Sequence, residues 1–375
     1  MHDSGARKPL IVFFHPYFRD GGVERTNIGL SKELIRVGYK VCFVTINPSD
    51  HYVDELKECG IEFVVLPARS TLSSQFSLVK WIRRRRSHEQ SMVVISCQYY
   101  VNLLCLFFRP LWGKGIKHIL SERNHFDEFK INQHGFKQYI VQWLVPIMYR
   151  FADTVIANSK ELADDLRQIT GRNVIPIYNP TINHRFSSMI DEEVSEDWFT
   201  GARRPIILTV GRMSLQKDHE TLVKAFARLR ERLDATLIII GDGEQRTNLE
   251  RLVDELDLSS SVIMPGFAPN PYKFMRSADL FVLSSVYEGL PNVLIEALAA
   301  GTNVISTACK SGPKEILNNG EYGQLVPVGD DIALSDAMEW ALMNENEAAG
   351  KTAASRAYLD RFRPEVVASQ LIDLF

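Results

Sequence analysis

The stretch that decides the fold class lies at residues 205–243 and reads PIILTVGRMSLQKDHETLVKAFARLRERLDATLIIIGDG. It begins with a short apolar run (205–210), continues through an amphipathic segment (220–233) and ends in a second apolar run (235–240). Short apolar runs without alternation are typical of strands that are buried on both faces. A helix between two such strands indicates a parallel strand–helix–strand unit.

The same pattern extends along most of the chain. The predicted strands are at 10–14, 41–45, 62–66, 92–96, 117–120, 154–157, 174–177, 205–210, 235–240, 262–264, 280–283, 303–306 and 324–326. Helix-like segments such as 23–37, 220–233 and 244–256 separate them. We therefore predict an α/β fold made of two Rossmann-like, doubly wound parallel-sheet domains that face a central cleft.

The polar stretch at 179–204 interrupts this pattern and is interpreted as the linker region. A chain of 375 residues is also long enough for two domains. We expect an N-terminal domain over residues 1–185 and a C-terminal domain over 186–355. The remaining residues, 356–375, are expected to form a C-terminal helix that packs back toward the N-terminal domain.

Composition narrows the class of protein and its compartment. The net charge of −3 gives no reason to expect nucleic acid as a partner. The five cysteines are odd in number and widely spaced, which favours reduced thiols in a cytosol. No apolar run reaches the roughly 18 residues that a membrane span needs, and the N-terminus lacks the pattern of a signal peptide. We expect a cytoplasmic protein, with peripheral contact at the cytoplasmic membrane left open.

The segment EGLPNVLIE at residues 288–296 is the first candidate site. Gly289, Leu290 and Pro291 lead from a strand into a helix, where the N–H groups of Asn292, Val293 and Leu294 would form an anion site. Glu288 and Glu296 could then accept hydrogen bonds from hydroxyl groups on either side of a bound phosphate. A nucleotide sugar has this layout. The alternative is a solvated glutamate beside an ordinary helix cap.

Two cations follow the strand at 205–210. Gly211 and Arg212 begin the loop, and Lys217 ends it. Arg212 and Lys217 could neutralise a diphosphate leaving group, since ligands of parallel sheets bind at the carboxyl ends of strands. The alternative is a pair of solvated surface cations.

Two further segments lie at strand ends in the N-terminal half. Gly21 and Gly22 open the first helix and would let a ligand approach the backbone closely, although an ordinary loop is the alternative. Residues 121–125, which include Glu122 and His125, place adjacent polar side chains after the strand at 117–120. A polar surface turn with a helix cap is the alternative there.

Taken together, these motifs resemble those of the retaining glycosyltransferases of family 4, whose signature is E-x7-E. The resemblance covers nearly the whole chain and includes, in the family's order, the segments 21–25, 211–217, 241–244, 265–267, 278–279, 288–296 and 296–301. The Ser-Glu-Arg-Asn form at 121–124 is similar to that of some bacterial surface-polysaccharide enzymes.

The resemblance implies a GT-B fold and retaining transfer, without a metal or other cofactor. It also implies that the N-terminal domain (1–185) binds the acceptor and that the C-terminal domain (186–355) binds the nucleotide sugar. The donor would be a nucleotide sugar, UDP-linked, that carries a hexose or N-acetylhexosamine. Glu288 would contact the donor sugar, Glu296 the ribose, and Arg212 with Lys217 the diphosphate. The nucleotide sugar would also be bound by Gly21, Gly22, Gly211, Gly266, Phe267, Gly289, Leu290, Asn292 and Val293, with Gly266 and Phe267 meeting the base.

The acceptor side departs from the family pattern. Many members carry a histidine at the strand end that Glu122 occupies here, and His125 follows three residues later. Whether Glu122 or His125 assists the acceptor is therefore open.

The acceptor itself would be a hydroxyl of a glycan. The stretches at 99–112 and 136–149 mix aromatic, aliphatic and basic residues and suit a polyprenyl-diphosphate-linked acceptor, or else form ordinary core helices.

A nucleotide-sugar 2-epimerase of the same fold is the main alternative function, and a catalytically silent nucleotide-sugar-binding protein is a second. The E-x7-E spacing favours a transferase over the epimerase.

Overall fold

The structure is a computed structural model that describes residues 8–18, 22–47, 56–123 and 136–375. The chain forms two compact units. The first contains Met1–Pro180 and Pro364–Phe375, and the second contains Thr181–Arg363. The division therefore falls slightly before the boundary at 185 that the sequence suggested.

Strands and helices alternate along most of the described chain. The strands are β1 (Leu10–Phe14), β2 (Lys40–Thr45), β3 (Glu62–Val65), β4 (Met92–Cys97), β5 (Ile116–Glu122), β6 (Thr154–Ala157), β7 (Val174–Pro176), β8 (Ile206–Val210), β9 (Thr236–Ile240), β10 (Val262–Gly266), β11 (Leu280–Leu283), β12 (Asn303–Thr307) and β13 (Gln324–Val326). The helices are α1 (Gly22–Arg36), α2 (Thr71–Arg85), α3 (Tyr99–Phe108), α4 (Phe136–Met148), α5 (Lys160–Thr170), α6 (His184–Met189), α7 (Asp197–Thr200), α8 (His219–Arg230), α9 (Arg246–Glu255), α10 (Tyr272–Ser277), α11 (Asn292–Ala300), α12 (Pro313–Ile316), α13 (Asp331–Met343), α14 (Glu345–Ala354), α15 (Arg356–Leu359) and α16 (Pro364–Ile372).

The first unit is built on a parallel sheet with the strand order β3-β2-β1-β4-β5-β6-β7. Successive side chains of β1 point to opposite faces: Ile11 and Phe13 join the core under α1 and α16, whereas Val12 and Phe14 join the core under α2 and α3. Helices α4 and α5 complete the second face. Strands buried on both faces explain the continuous apolar runs.

The last helix of the chain belongs to the first unit. Val367, Ala368 and Leu371 of α16 are buried in the same core as Leu34 of α1, and the two helices are in contact.

The second unit is built on a parallel sheet with the strand order β10-β9-β8-β11-β12-β13. Its core is formed largely by the strand residues and by the inward faces of α8, α9 and α13. In this order β11 lies beside β8, although α8, β9, α9, β10 and α10 separate them in sequence. The chain crosses over at β8, as in doubly wound sheets, and the loops after β8 and β11 are brought together.

Nearly all of the stretch interpreted as a linker, residues 181–204, is instead part of the second unit. It contains α6 and α7, whose Phe186 and Phe199 are buried. The Phe186 ring meets Tyr272 at 5.1 Å, and Phe199 meets Phe274 at 5.3 Å between centroids. Two buried aromatic side chains hold a segment that is otherwise polar. One apolar residue per helix gives no periodic pattern, so the sequence did not predict these helices.

Close backbone packing joins the loops at the carboxyl ends of β8, β9 and β10. The N–H of Gly211 donates to the Ile240 carbonyl at 2.9 Å, and that of Gly241 donates to the Gly266 carbonyl at 2.8 Å. Gly241 has φ of +137°, and a Cβ there would lie 1.9 Å from the Gly211 oxygen. Residue 241 must therefore be glycine for the loop at 211–217 to keep its position.

Three histidines are buried in the described chain. Burial is the main cause that lowers the pKa of His15 to about 4 and the pKa values of His118 and His219 to about 3. His118 Nε2 is hydrogen-bonded to the Ser96 hydroxyl at 2.8 Å. These side chains are therefore neutral in the folded protein near neutral pH.

The first prediction concerns Gly241. Gly241→Ala should destabilise the second unit by about 2–3 kcal/mol, because the new Cβ meets backbone and the residue keeps a positive φ. Gly350→Ala is the control, since Gly350 lies inside α14 with no atom within 4 Å of a Cβ. It should stabilise by about 0.5–1 kcal/mol. Denaturant unfolding measures both, and equal effects of the two substitutions would contradict the packing described for Gly241.

The second prediction concerns pH. The pKa values of His15, His118 and His219 are lowered on folding, so below about pH 6.5 the unfolded chain binds more protons than the folded one. Stability should therefore fall as the pH is lowered from about 6.5 to about 5, a window in which most carboxylates stay ionised. Thermal unfolding measured across this window should show a falling Tm, with a shallower slope for His118→Gln. A Tm that is constant or rises on acidification would contradict the buried neutral histidines.

Candidate active site

An ion pair between Lys217 and Glu288 forms the centre of the candidate site. Lys217 ends the loop after β8, and Glu288 lies in the segment after β11. Lys217 Nζ donates to Glu288 Oε1 at 2.6 Å, with the side chains 17% and 8% exposed. The Ser285 hydroxyl donates to the same carboxylate oxygen at 2.7 Å. Two residues that the sequence predicted as site residues are thus brought into direct contact.

The backbone around this pair is held by hydrogen bonds between the two loops. The Ser284 hydroxyl donates to the Lys217 carbonyl at 2.7 Å, and the Val286 N–H donates to the Gln216 carbonyl at 2.8 Å. The Gln216 side-chain amide donates to the Tyr287 carbonyl at 3.0 Å. The positions of both charged groups are therefore fixed before any ligand binds, which lowers the cost of ordering them on binding.

Burial of the Lys217–Glu288 pair determines how strongly its two charges interact with a ligand. Taking a carboxylate and an ammonium out of water is costly, and a pair of this kind gives little net stability compared with apolar side chains of similar volume. An ammonium has three N–H donors, and Glu288 accepts one of those of Lys217. In a site of low dielectric, both groups interact strongly with an added charge or hydroxyl.

The segment between Glu288 and α11 turns sharply. Gly289, Leu290 and Pro291 connect Glu288 to the helix, and Pro291 is the residue before its first turn. A Cβ on Gly312, which has φ of +94°, would lie 2.5 Å from Pro291 Cδ, so the loop at 312 packs closely on this turn.

The first turns of α11 carry further predicted site residues. Asn292 and Val293 are half-buried in its first turn, and Glu296 is half-buried one turn later. The N–H of Leu294 donates to the Pro291 carbonyl at 3.1 Å. This N–H is therefore used within the tight first turn of the helix, and the anion site stays a prediction.

The other predicted site residues of the second unit lie in the loops after β8 and at the end of β10. Gly211 lies against the Lys217 side chain, since a Cβ there would be 3.4 Å from its Cε. Arg212 is 74% exposed and pairs with Glu244 at 3.0 Å rather than with Glu288. Gly266, with φ of +89°, ends β10, and Phe267 after it is exposed. The structure therefore brings Gly211 to the Lys217–Glu288 pair and gives Arg212 a separate partner.

In the first unit, Glu122 is buried in a hydrogen-bond network. The Asn102 side-chain amide donates to Glu122 Oε1 at 2.6 Å, and the Tyr149 hydroxyl donates to the same oxygen. Burial and the nearby Glu122 raise the pKa of Tyr149 well above its usual value. The role of Glu122 toward an acceptor stays a prediction. Gly22 begins α1, and Gly21 and His125 lie outside the described residues.

A second buried cluster lies at the carboxyl ends of β1 and β5. Of its members, the sequence pointed only to Arg123, as part of the segment 121–125. Arg123, which follows β5, donates to the side-chain oxygens of Asn27 at 3.1 Å and of Asn179. The Asn27 amide nitrogen lies 2.6 Å from His15 Nε2, and His15 follows β1 directly. The available signal was position, because polar residues just after buried strands mark the ligand edge of a parallel sheet.

Two features are absent from the described residues, a metal-binding cluster and a membrane-spanning helix. Across residues 8–18, 22–47, 56–123 and 136–375, no group of three or more His, Cys, Asp or Glu side chains is arranged to hold a metal ion. Over the same part of the chain, none of the helices combines the length and the apolar character needed to cross a bilayer.

Comparisons with known families match both halves of the chain. The family model for glycosyltransferase family 4 matches residues 20–181, and the model for glycosyl transferases group 1 matches residues 191–357.

Several curated relatives match over most of their length. The chain is 30% identical to the lipopolysaccharide core biosynthesis glycosyltransferase LpsE of Rhizobium meliloti, over 77% of this chain and 82% of the relative. It is 27% identical to a Campylobacter jejuni enzyme named N-acetylgalactosamine-N,N'-diacetylbacillosaminyl-diphospho-undecaprenol 4-alpha-N-acetylgalactosaminyltransferase, over 87% of this chain and 88% of the relative.

Solved structures share the architecture of two parallel-sheet units. Anabaena HepE, solved in complex with UDP, superposes with a TM-score of 0.79 at 18% identity over 98% of this chain and 99% of its own. Sucrose-phosphate synthase from Thermosynechococcus elongatus superposes with a TM-score of 0.78 at 21% identity, over 98% of both chains. These likenesses establish the fold, which is GT-B. On the family matches and the similarity to LpsE, the chain belongs to glycosyltransferase family 4 and is a glycosyltransferase.

Proposed function

We propose that the chain transfers a hexose or N-acetylhexosamine from a UDP-sugar to a hydroxyl of a lipid-linked glycan, with retention of the anomeric configuration, in the assembly of a cell-surface polysaccharide. The observation that carries this proposal is the preorganised Lys217–Glu288 pair after β8 and β11. It offers one cation for a diphosphate and one carboxylate for sugar hydroxyls within hydrogen-bond distance of each other.

Lys217 would act on the leaving group. As the bond between the sugar C1 and the diphosphate oxygen breaks, negative charge grows on that oxygen, and a fixed ammonium in a low-dielectric site stabilises it. Arg212 would add a second cation. Its pair with Glu244 is exposed and therefore weak, so exchanging Glu244 for a phosphate costs little.

Glu288 and Glu296 would bind hydroxyl groups of the donor. Glu288 would accept hydrogen bonds from the sugar, with Ser285 keeping its carboxylate in place. Glu296, one turn along α11, would accept from the ribose. The exposed ring of Phe267 would meet the base, with Gly211, Gly266, Gly289, Leu290, Asn292 and Val293 supplying close backbone and side-chain contacts.

In this proposal the acceptor hydroxyl attacks C1 from the face that the diphosphate leaves. The new C1–O bond forms as the C1–O bond to the diphosphate breaks, and the acceptor proton passes to the departing phosphate oxygen. Atoms and charge balance without a second carboxylate acting as nucleophile, which distinguishes the step from that of retaining glycosidases. Glu122 or His125 would assist the acceptor.

The names of similar proteins support the choice of substrates. HepE has been solved with UDP, which supports a uridine nucleotide. The Campylobacter relative is named for a diphospho-undecaprenol-linked acceptor, and LpsE for the lipopolysaccharide core. Both names agree with the acceptor proposed here, a lipid-linked glycan.

The proposal is tested with a panel of radiolabelled nucleotide sugars, with and without a membrane lipid extract. Label should move into the lipid fraction only when the extract is present, and an α-linked donor should give an α-linked product. Conversion of the donor sugar without any acceptor would instead indicate a 2-epimerase and would contradict the proposal.

The third prediction assigns the roles of the pair. Glu288→Gln and Lys217→Gln should each lower kcat for transfer by about 10²–10³-fold, because each removes a charge that acts in the transition state. Arg251→Gln and Glu255→Gln are matched controls, since that exposed pair lies on α9 in the same unit. The controls should retain the wild-type rate. Transfer at the wild-type rate by either site variant would overturn the assigned roles.

A further inference from the structure

The outer side of α2, α3 and α4 in the first unit carries large apolar side chains that are exposed. They are Leu72 and Phe76 on α2, Phe107 and Leu111 on α3 and the turn after it, and Trp143, Ile147 and Phe151 on α4 and the turn after it. Phe107 is 70% exposed, Trp143 67% and Phe151 76%. We call these seven side chains the aromatic surface.

The helices that carry the aromatic surface are neighbours. Helix α3 contacts both α2 and α4. The Phe76 ring of α2 meets the Phe108 ring at 5.0 Å, and Phe107 meets Phe108 at 5.4 Å. The Arg83 guanidinium of α2 also donates to the Leu111 carbonyl at 2.7 Å. The exposed apolar side chains of α2 and α3 are therefore joined through Phe108, and α4 packs beside α3.

Folding of the first unit does not require this surface to be apolar. Leu78 and Ile82 of α2, Cys105 of α3 and Val141 and Val145 of α4 already fill the core beneath the sheet face. The exposed residues follow separate helical stripes, with spacings of four on each helix. A helix at the surface of a protein is usually polar on its outer side, and contiguous exposed apolar side chains mark an interaction surface.

The charged side chains of α2, α3 and α4 and of the turns that follow them are all cationic. Residues 71–86, 99–118 and 136–151 contain no Asp or Glu, although 46 of the chain's 375 residues are acidic. They contain the cations Lys80, Arg83, Arg84, Arg85, Arg86, Arg109, Lys114, Lys117, Lys137 and Arg150.

Several of these cations are available at the edge of the aromatic surface. Lys80 lies one helical turn after Phe76, and Lys80, Arg84, Lys114 and Arg150 are exposed. None of these four forms an ion pair with another described residue. The partner must therefore be both apolar enough for aromatic side chains and negatively charged.

We infer that the aromatic surface, with these cations, docks the enzyme on the surface of an anionic phospholipid bilayer. Aromatic and aliphatic side chains enter the boundary between headgroups and acyl chains, while Lys and Arg remain at the level of the phosphates. A second copy of the chain fits less well, because it would bring one cationic set against another. The biological use of this docking rests on the proposed function, since a lipid-linked acceptor lies in such a membrane.

The fourth prediction tests this docking with the full chain and vesicles alone, without donor or acceptor. The protein should sediment with vesicles of phosphatidylglycerol and phosphatidylethanolamine, release as salt is raised, and bind vesicles of phosphatidylcholine only weakly. Phe107→Ser combined with Trp143→Ser should lower the partition coefficient by about tenfold or more. Lys80→Gln combined with Arg84→Gln and Arg150→Gln should lower it by roughly fivefold per removed charge.

Matched controls come from the second unit. Met343→Ser on α13 removes an exposed apolar side chain, and Arg251→Gln on α9 removes an exposed cation. Both should bind vesicles as the wild type does. The thermal shift caused by UDP, measured on every variant, should be unchanged, which shows that the surface variants fold and separates this test from the test of transfer.

Three results would overturn the inference. The surface variants could bind anionic vesicles as tightly as the wild type, or the wild type could bind neutral and anionic vesicles equally at all salt concentrations. Tighter binding to a free polyanion such as duplex DNA than to vesicles, lost in the same variants, would assign the surface to a different partner. Vesicle binding without any transfer activity would instead contradict the proposed function and leave the docking intact.

Discussion

The ion pair between Lys217 and Glu288 joins two loops that the sheet order places side by side. Strand β11 is hydrogen-bonded to β8, and both strands end at the same edge of the second sheet. Ser284, Ser285 and Gln216 fix the loops by hydrogen bonds of 2.7–3.0 Å. Burying two charges is costly and gives little net stability. We therefore interpret the pair as a preorganised binding site rather than as an interaction that stabilises the fold.

The position of Lys217 depends on backbone packing as well as on its partner. Gly241 allows the Gly211 carbonyl to approach the end of β9, and Gly211 in turn lies against the Lys217 side chain. A Cβ at residue 241 would displace the start of the loop and, through it, the ammonium group. The two glycines therefore connect the fold of the second sheet to the geometry of the pair.

The strands could be predicted because each is a short apolar run buried on both faces. The pairing of β8 with β11 could not be read from the sequence, so Lys217 and Glu288 were predicted as site residues without their direct contact. Helices α6 and α7 were missed because Phe186 and Phe199 find their aromatic partners far along the chain. The contacts of Arg123 with Asn27, and of Asn27 with His15, were missed for the same reason, since these hydrogen bonds join residues from separate elements.

The most direct test of the preorganised pair is the affinity for UDP, which carries the diphosphate and lacks the sugar. Calorimetry on the wild type, Lys217→Gln and Glu288→Gln separates the two charges. Lys217→Gln should weaken UDP binding by about tenfold or more, because a charge-assisted hydrogen bond to phosphate is lost. Glu288→Gln should bind UDP at least as tightly as the wild type, because Lys217 no longer has an anionic partner. Equal losses of affinity in both variants, or no loss in Lys217→Gln, would contradict the assignment of Lys217 to the diphosphate.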